Sequence, residues 1–370
     1  LLIMASNAVF DLGAVGFFKY FSELNFKLGF FNEKGMSFIL SIKKDKRKIT
    51  VLSIQNFIRT SIKNLGKLVG KPKLEVDVFT EDYNLLIIYC FRDVEILRDS
   101  FLLYIKFVVD NDLGGYCYTS SSQSFRAFRK RFVDKNIVIH SDKELTRFER
   151  SGYFGGRTEA FRIGNLSGRN YVQLDVNSMY PYVMRDNYFP TCYQGKINEH
   201  DLPKLFTAIK HKCVTARVLI STDEPAYPKV IEGRCCFPIG EFYTTLNTPS
   251  LKYALEHGHI KDVSCAAYYR KGTIFTGFVK QFWALRRHYQ KTGNKAFVDM
   301  TKLIMNSLYG KFGEKHDNII AEEDLLDSIY EIIYWYHEHT NERGRTVSMF
   351  HRKIDYSGYL EGENSFVSVA

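Results

Sequence analysis

The period of the apolar positions changes several times along the chain, and each change marks an element. From Met36 to Ile54, two β-rich runs flank Lys43-Lys44-Asp45-Lys46-Arg47, which predicts a hairpin with a charged, solvated tip. Residues 84–106 carry Leu85, Leu86, Ile88, Tyr89, Val94, Leu97 and Leu102, a stripe that predicts one long buried helix. Over 123–132, Phe125, Phe128 and Phe132 share a face flanked by Arg126, Arg129, Lys130 and Arg131, which reads as a short basic amphipathic helix. A β-rich stretch is expected over 171–270, broken by turns at Asp223-Glu224-Pro225 and Ile231-Glu232-Gly233. Phe275, Phe278, Val279, Phe282 and Leu285 then predict a helix over 274–290. A second helix, over 294–309, should end at Gly310, where a residue without Cβ can adopt the left-handed cap. Strand-like sequence returns after 345, so the pattern predicts an α+β (mixed α/β) fold with inserted subdomains.

With 370 residues, 45% hydrophobic and 25% charged, the chain is neither disordered nor collagen-like and can support two or three domains. Its 51 Lys and Arg against 41 Asp and Glu leave a net charge of +10, so a polyanion is an expected partner. The 30 Phe and 24 Tyr could fill a core, stack bases, or do both. Seven cysteines without a C-x-x-C pair point away from a zinc ribbon or disulfide framework and toward a reducing, intracellular setting. The uncharged run Leu1 to Phe10 lacks a basic flank and is too short to span a bilayer, so neither a signal peptide nor a membrane partner is expected. His337-Glu338-His339 does not have the spacing of H-E-x-x-H, and no zinc is assigned. Because the chain opens at Leu1 and stops inside the apolar run Phe366 to Ala370, a fragment cut at both ends is expected.

Two constellations carry chemistry. In Leu174-Asp175-Val176-Asn177-Ser178-Met179-Tyr180-Pro181, an apolar strand with Tyr171, Val172 and Leu174 should deliver the Asp175 carboxylate ahead of an Asn-Ser turn. Alone, that pattern suits a catalytic carboxylate and equally an ordinary turn in which Asp175 bonds local backbone. In Lys302-Leu303-Ile304-Met305-Asn306-Ser307-Leu308-Tyr309-Gly310-Lys311, helical spacing puts Lys302, Asn306 and Tyr309 on one face, with Phe297, Met300, Ile304 and Leu308 opposite. A point charge, an amide and an aromatic ring together suit a nucleoside triphosphate, although a surface helix ending in a glycine cap is spelled the same way.

In this combination and order, the residues resemble the family B DNA polymerases, in particular the protein-primed group of phages, viruses, linear plasmids and organelles. The palm motif D-x-x-S-L-Y-P is matched by Asp175 to Pro181, with Met179 in place of Leu. The fingers motif K-x-x-x-N-S-x-Y-G is matched by Lys302, Asn306, Ser307, Tyr309 and Gly310. Tyr153-Phe154-Gly155-Gly156 is similar to the Y-x-G-G turn that links exonuclease and polymerase parts. Asn7-Ala8-Val9-Phe10-Asp11 is similar to the second motif of the 3′–5′ exonuclease, N-x-x-F-D, and Tyr89-Cys90-Phe91-Arg92-Asp93 to the third, Y-x-x-x-D. Ser61-Ile62-Lys63-Asn64-Leu65 is similar to the (S/T)-L-x-x-h element that holds single-stranded DNA, with Ile62 in place of Leu. The first exonuclease motif, D-x-E, should precede Asn7 and is absent. The segment Asn364 to Ala370 resembles one shortly before T-x-x-(A/G)-R, which puts the D-T-D hairpin and the thumb beyond Ala370.

The resemblance implies a partial RNase H-like 3′–5′ exonuclease domain over 1–112, followed by palm and fingers of a right-hand polymerase. The connecting region with the Y-x-G-G turn would be 113–165, the first part of the palm 166–186, and the fingers 276–313. An insertion that meets a terminal protein in relatives would occupy 187–275, a second insertion 314–350, and a return to the palm 351–370. The implied function is template-directed DNA synthesis with proofreading, primed by a terminal protein on a linear viral or plasmid genome, in a host cytoplasm or a mitochondrion. Asp175 would be catalytic and bind Mg²⁺ or Mn²⁺, and Asp11 and Asp93 would do the same in the exonuclease. Tyr180, Lys302, Asn306, Tyr309 and Gly310 would bind the dNTP. Asn7, Phe10, Ser61, Tyr89, Tyr153, Gly155, Gly156 and Ser178 would contact primer-template or single-stranded DNA. Without a D-T-D partner, the 370 residues as given are expected not to polymerise. The rival readings are a proofreading nuclease with a vestigial polymerase part and a non-catalytic DNA-binding relative; the intact Lys302, Asn306 and Tyr309 speak against both.

Overall fold

Asp45, at φ 52°, occupies the left-handed region at the tip of a two-residue turn, and the expected hairpin forms on either side of it. A computed structural model describes residues 1–34, 37–77, 79–133, 137–165, 167–168, 170–176, 178–327, 330–340 and 342–361. The chain begins with β1 (Leu2–Ala5), α1 (Ala8–Ala14), α2 (Phe17–Glu23), β2 (Lys27–Lys34), β3 (Ser37–Lys44), β4 (Arg47–Ser53), α3 (Ile62–Leu68), α4 (Tyr83–Asp110) and α5 (Ser120–Arg131). Next come α6 (Lys143–Ser151), α7 (Met179–Asp186), β5 (Phe189–Ile197), α8 (Leu202–His211), β6 (Cys213–Thr222), β7 (Lys229–Ile231), β8 (Arg234–Cys236), β9 (Gly240–Asn247), α9 (Thr248–Glu256) and β10 (Ile260–Gly272). The last elements are α10 (Thr276–Lys291), α11 (Lys295–Phe312), β11 (Lys315–Asp324), β12 (Glu331–His337), β13 (Glu342–Met349) and β14 (Arg352–Glu361). Residues 364–370, on which the expected return to the palm rests, lie outside the described residues.

The chain divides into two compact units. The first gathers Leu1–Arg131, Gln281–Leu308 and Lys315–Leu360. Its N-terminal sheet has the order β1-β4-β3-β2, with β1 parallel to β4 and the other pairs antiparallel. A second sheet, β11-β14-β13-β12, shares its core: Phe17, Phe26, Leu28, Leu40 and Ile42 pack in one cluster with Val347, Met349, Phe350 and Ile354. Each such buried side chain contributes on the order of 1.5–3 kcal/mol. The segment expected as a second insertion and the segment expected as exonuclease therefore fold as one body.

Asp82 caps α4 by accepting the Leu85 N–H at 3.1 Å, and Ile96, Ser100, Tyr104 and Phe107 bury the helix's second half. The first half corrects the expected buried stripe. Leu86, Tyr89 and Asp93 are partly covered, but Leu85, Ile87 and Ile88 are exposed and Phe91 is 68% exposed. Apolar residues occur there on more faces than one packing partner can cover. In α5 the basic flank is partly structural: Lys130 pairs with Asp112, and Arg131 donates to the Asn111 carbonyl at 2.7 Å. Ser124 Oγ, on the buried side, donates to the Ile304 carbonyl of α11 at 2.7 Å.

The second unit gathers Phe132–Lys280 and Tyr309–Glu314. Its antiparallel sheet has the order β5-β10-β6-β9, and α8 and α9 cover one face through Leu205, Ile209, Leu251 and Ala254. The β-rich expectation is corrected in two places. Residues 170–176 form no strand, and Val172 and Leu174 are 81% and 89% exposed, because the run has no pairing partner among the described residues. Two helices, α8 and α9, interrupt the strands, each with a proline in its first turn. Gly310 is likewise no cap: α11 runs through it to Phe312, which extends the buried row Ile304–Leu308 by another turn. All seven cysteines are free. Among the described residues no helix is long and apolar enough to cross a membrane.

Candidate functional site

In the second unit, Ser178 stands in the left-handed region (φ 56°, ψ 44°) and opens α7. Pro181 and Met184 are buried and fix that helix, which leaves Tyr180 exposed on its first turn. Asp175 lies just before, in the exposed irregular stretch, and its carboxylate makes no hydrogen bond or ion pair among the described residues. Mg²⁺ is usually held by one or two carboxylates together with substrate phosphates, so Asp175 fits as one such donor. Among the described residues no group of three His, Cys, Asp or Glu side chains could hold a metal by itself.

Residues from three separate motifs meet in this unit. The Tyr153 and Tyr309 rings are stacked at 20° with centroids 6.5 Å apart, and the Tyr180 ring lies 6.2 Å from Tyr309 at 31°. Burial pushes the Tyr309 hydroxyl well above the usual tyrosine value, and the neighbouring Tyr153 and Tyr180 add to the shift. The Arg150 guanidinium sits 4.9 Å from the Tyr153 ring centre. Gly155 and Gly156 are exposed, and neither is forced by the protein itself: a Cβ at Gly155 would meet nothing, and one at Gly156 would lie 3.7 Å from the Tyr180 hydroxyl. Gly310 is exposed with open space around it.

In the first unit, Lys302 and Asn306 face a groove of about 990 Å³ whose other wall includes Arg59, Asn64 and Lys67. Ser61 caps α3 on that wall, its Oγ accepting the Asn64 N–H at 3.4 Å. Arg59, Lys67, Lys295 and Lys302 line the groove and are exposed, and their side chains make no ion pair or hydrogen bond among the described residues. Phe57, Leu68, Leu103 and Met300 give it an apolar floor, and Asp299 is its one carboxylate. Unneutralised cations over apolar surface suit a phosphate backbone with bases packed beneath.

The remaining expected residues fall into two sets. Asn7 is exposed at the start of α1 without capping it, and Phe10 is 70% exposed on the next turn. Asp11 Oδ2 accepts the Ser6 and Asn7 N–H groups, each at 3.1 Å. Tyr89 and Asp93 are brought together by Lys73, whose Nζ donates to the Tyr89 hydroxyl at 2.7 Å and pairs with Asp93. The second oxygen, Asp93 Oδ1, is buried without a partner, an open valence that a metal or water would satisfy. Asp11 and Asp93 thus have different partners. Lys73, Arg59, Lys67 and Arg150 escape the sequence reading because nothing local marks them; only the fold brings them to these sites.

The model of the family described as DNA polymerase type B, organellar and viral, matches residues 71–329. A protein of Agaricus bitorquis described as a probable DNA polymerase is 31% identical over 226 residues, 58% of this chain and 27% of its own length. The DNA polymerase of Bacillus phage phi29 is 26% identical over 254 residues, 62% of this chain and 41% of its own. The matched part thus spans 27% and 41% of the length of these curated relatives. The structure of phi29 DNA polymerase complexed with primer-template DNA and incoming nucleotide substrates superimposes with a TM-score of 0.63 at 18% identity, covering 100% of this chain and 66% of that one. The mixed α/β fold is therefore that of a known polymerase.

Proposed function

The chain belongs to the organellar and viral type B DNA polymerases, and from that membership we propose that it serves template-directed DNA synthesis by nucleotidyl transfer. The observation that carries this reading is the contact of Tyr180, Tyr309 and Tyr153, three motif residues far apart in sequence whose rings adjoin. Phosphoryl transfer asks a protein chiefly for alignment and charge compensation. Tyr180 packs under the sugar and disfavours a 2′-hydroxyl, while Lys302 neutralises triphosphate oxygens. Asn306, Tyr309 and Gly310 shape the space for the nascent base pair. Asp175 would hold Mg²⁺ or Mn²⁺, which supplies charge stabilisation of the attacking and leaving oxygens. The room left above Gly155 and Gly156 suits a DNA strand passing close to the backbone, beside Ser178 and Tyr153.

Proofreading is part of the proposal. Phe10 offers an exposed ring for a terminal base, with Asn7, Ser61 and Tyr89 positioning the strand and Asp11 and Asp93 as the metal-binding carboxylates. So is priming by a terminal protein on a linear viral or plasmid genome, which rests on the motif resemblance to the protein-primed group and on a 187–275 segment long enough for the insertion that meets a terminal protein in relatives. The test is dNTP incorporation by the full-length protein on a primed template with Mg²⁺. Incorporation lost with Asp175→Ala, with DNA binding retained, is expected; incorporation that persists overturns the assignment. A candidate terminal protein that receives no nucleotide, while DNA primers are extended, removes protein priming.

A further inference from the structure

Four consecutive residues at the end of α6 are each hydrogen-bonded to a residue remote in sequence within the second unit. Glu149, buried, accepts the Tyr269 hydroxyl at 2.7 Å and faces His140 Nε2 at 2.9 Å. Arg150 donates to the Gly313 carbonyl at 3.2 Å. The Ser151 and Thr245 hydroxyls are hydrogen-bonded at 3.0 Å, and the Gly152 carbonyl accepts the Asn247 side-chain amide at 2.7 Å. The next residue is Tyr153, whose ring stacks on Tyr309.

Asn247 is the informative member. It stands at the N-cap of α9, where asparagine ordinarily bonds the first turn of its own helix, yet it makes no capping bond. Its amide instead reaches across to Gly152, and its carbonyl oxygen accepts the Thr215 hydroxyl at 2.9 Å, which orients it. Gly152 is shaped for this approach. A Cβ there would stand 3.1 Å from Asn247 Oδ1 and 3.2 Å from Thr245 Cγ2. Beside the turn, an opening of about 220 Å³ bordered by Tyr153, Asn247 and Tyr309 leaves the stack without tight packing on that side. On that open side, the polar tethers of the backbone help hold the ring in place.

We propose that Asn247, oriented by Thr215, is a positioning residue for nucleotide selection: it holds Gly152, hence Tyr153, and through the stack Tyr309. The inference rests on the reading that Tyr309 shapes the pocket of the incoming nucleotide. It assigns to the edge of the 187–275 insertion a role in dNTP affinity that no motif marks.

The test is steady-state incorporation on a primer-template by the full-length protein carrying Asn247→Ala or, separately, Thr215→Val, with DNA affinity and thermal melting measured alongside. For Asn247→Ala, KM for dNTP should rise roughly threefold to tenfold, as the loss of one or two net hydrogen bonds implies. The kcat should change by less than about twofold, since the chemistry is untouched. Thr215→Val should move KM the same way by less, and any loss of DNA affinity in either variant should be smaller than the rise in KM. An unmoved KM in both variants overturns the inference. So does a joint fall of incorporation and DNA affinity that follows the loss of folded protein. If Asn247→Ala does not fold, Thr215→Val, which keeps the shape and removes one hydroxyl, decides. No incorporation by the unaltered protein overturns the polymerase reading and the inference with it, whereas normal incorporation with an unmoved KM overturns the inference alone.

Discussion

Tyr153 lies nearly parallel to Tyr309, at 20° and 6.5 Å between ring centroids, although one belongs to a glycine-rich turn and the other to the end of α11. The Tyr153 hydroxyl makes no hydrogen bond among the described residues, so its ring is what matters. An aromatic pair of this kind contributes about 0.5–1.5 kcal/mol beyond burial. Tyr153→Leu should therefore raise KM for dNTP roughly twofold to tenfold, and Tyr153→Phe should stay within about twofold, in primer-extension assays titrated with nucleotide.

The groove of the first unit makes a different, electrostatic prediction. Arg59 and Lys67 are exposed and their side chains unpaired, and they flank Ser61, the cap of α3, in sequence. If a single strand lies there, each cation in contact adds about 0.7 to the slope of log affinity against log salt. Arg59→Gln with Lys67→Gln should weaken binding to a single-stranded oligonucleotide regardless of its sequence and flatten that slope by about 1.4. The check is fluorescence anisotropy across a salt series. An unchanged slope would place the strand elsewhere.

These two sites differ in how readable they are from sequence, and the reason is physical. The helical period puts Lys302 and Asn306 on the solvent side of α11 and Ile304 and Leu308 in the core, as the structure has them, while Tyr309, expected on the same face as Lys302, is half-buried against Tyr153 and Tyr180. Motif order carries the family, because spacing survives where identity is low. What stays hidden depends on partners distant in sequence. The apolar run Tyr171 to Leu174 has the composition of a strand but forms none, since a strand also needs a ladder to join. Gly310 has the composition of a cap, but Phe312 offers the helix one more buried contact and the helix continues. Asn247 looks like a helix cap and acts as a tether, because Gly152, remote in sequence, lies against it.

Gly344 provides a stability prediction in the second sheet of the first unit. It pairs with Trp335 across β12 and β13, and a Cβ there would fall 2.2 Å from both the indole Cζ2 and the Tyr356 carbonyl oxygen. The indole could rotate away; the backbone oxygen could not. Gly344→Ala should cost about 1–3 kcal/mol in denaturant unfolding, and adding Trp335→Leu should recover only part of it. Full recovery would mean that the Tyr356 carbonyl yields freely.

The pair Lys73–Asp93 predicts a pH dependence whose direction can be worked out. Burial works against the lysine charge, but hydrogen bonds to Asp93 and Tyr89 outweigh it and raise Lys73 above its ordinary 10.5. The folded protein therefore holds that proton more tightly than the unfolded chain does. The stabilisation is complete below pH 10.5 and is lost as pH climbs through the raised folded value. Lys73→Met keeps the aliphatic stem but leaves Asp93, whose Oδ1 already lacks a partner, without its cation. The expected loss is about 1–3 kcal/mol at pH 7, read from urea unfolding of variant and unaltered protein. The gap between the two should narrow as the titration passes above 10.5. A gap that is constant with pH would trace the loss to the packing of the lysine stem rather than to its charge.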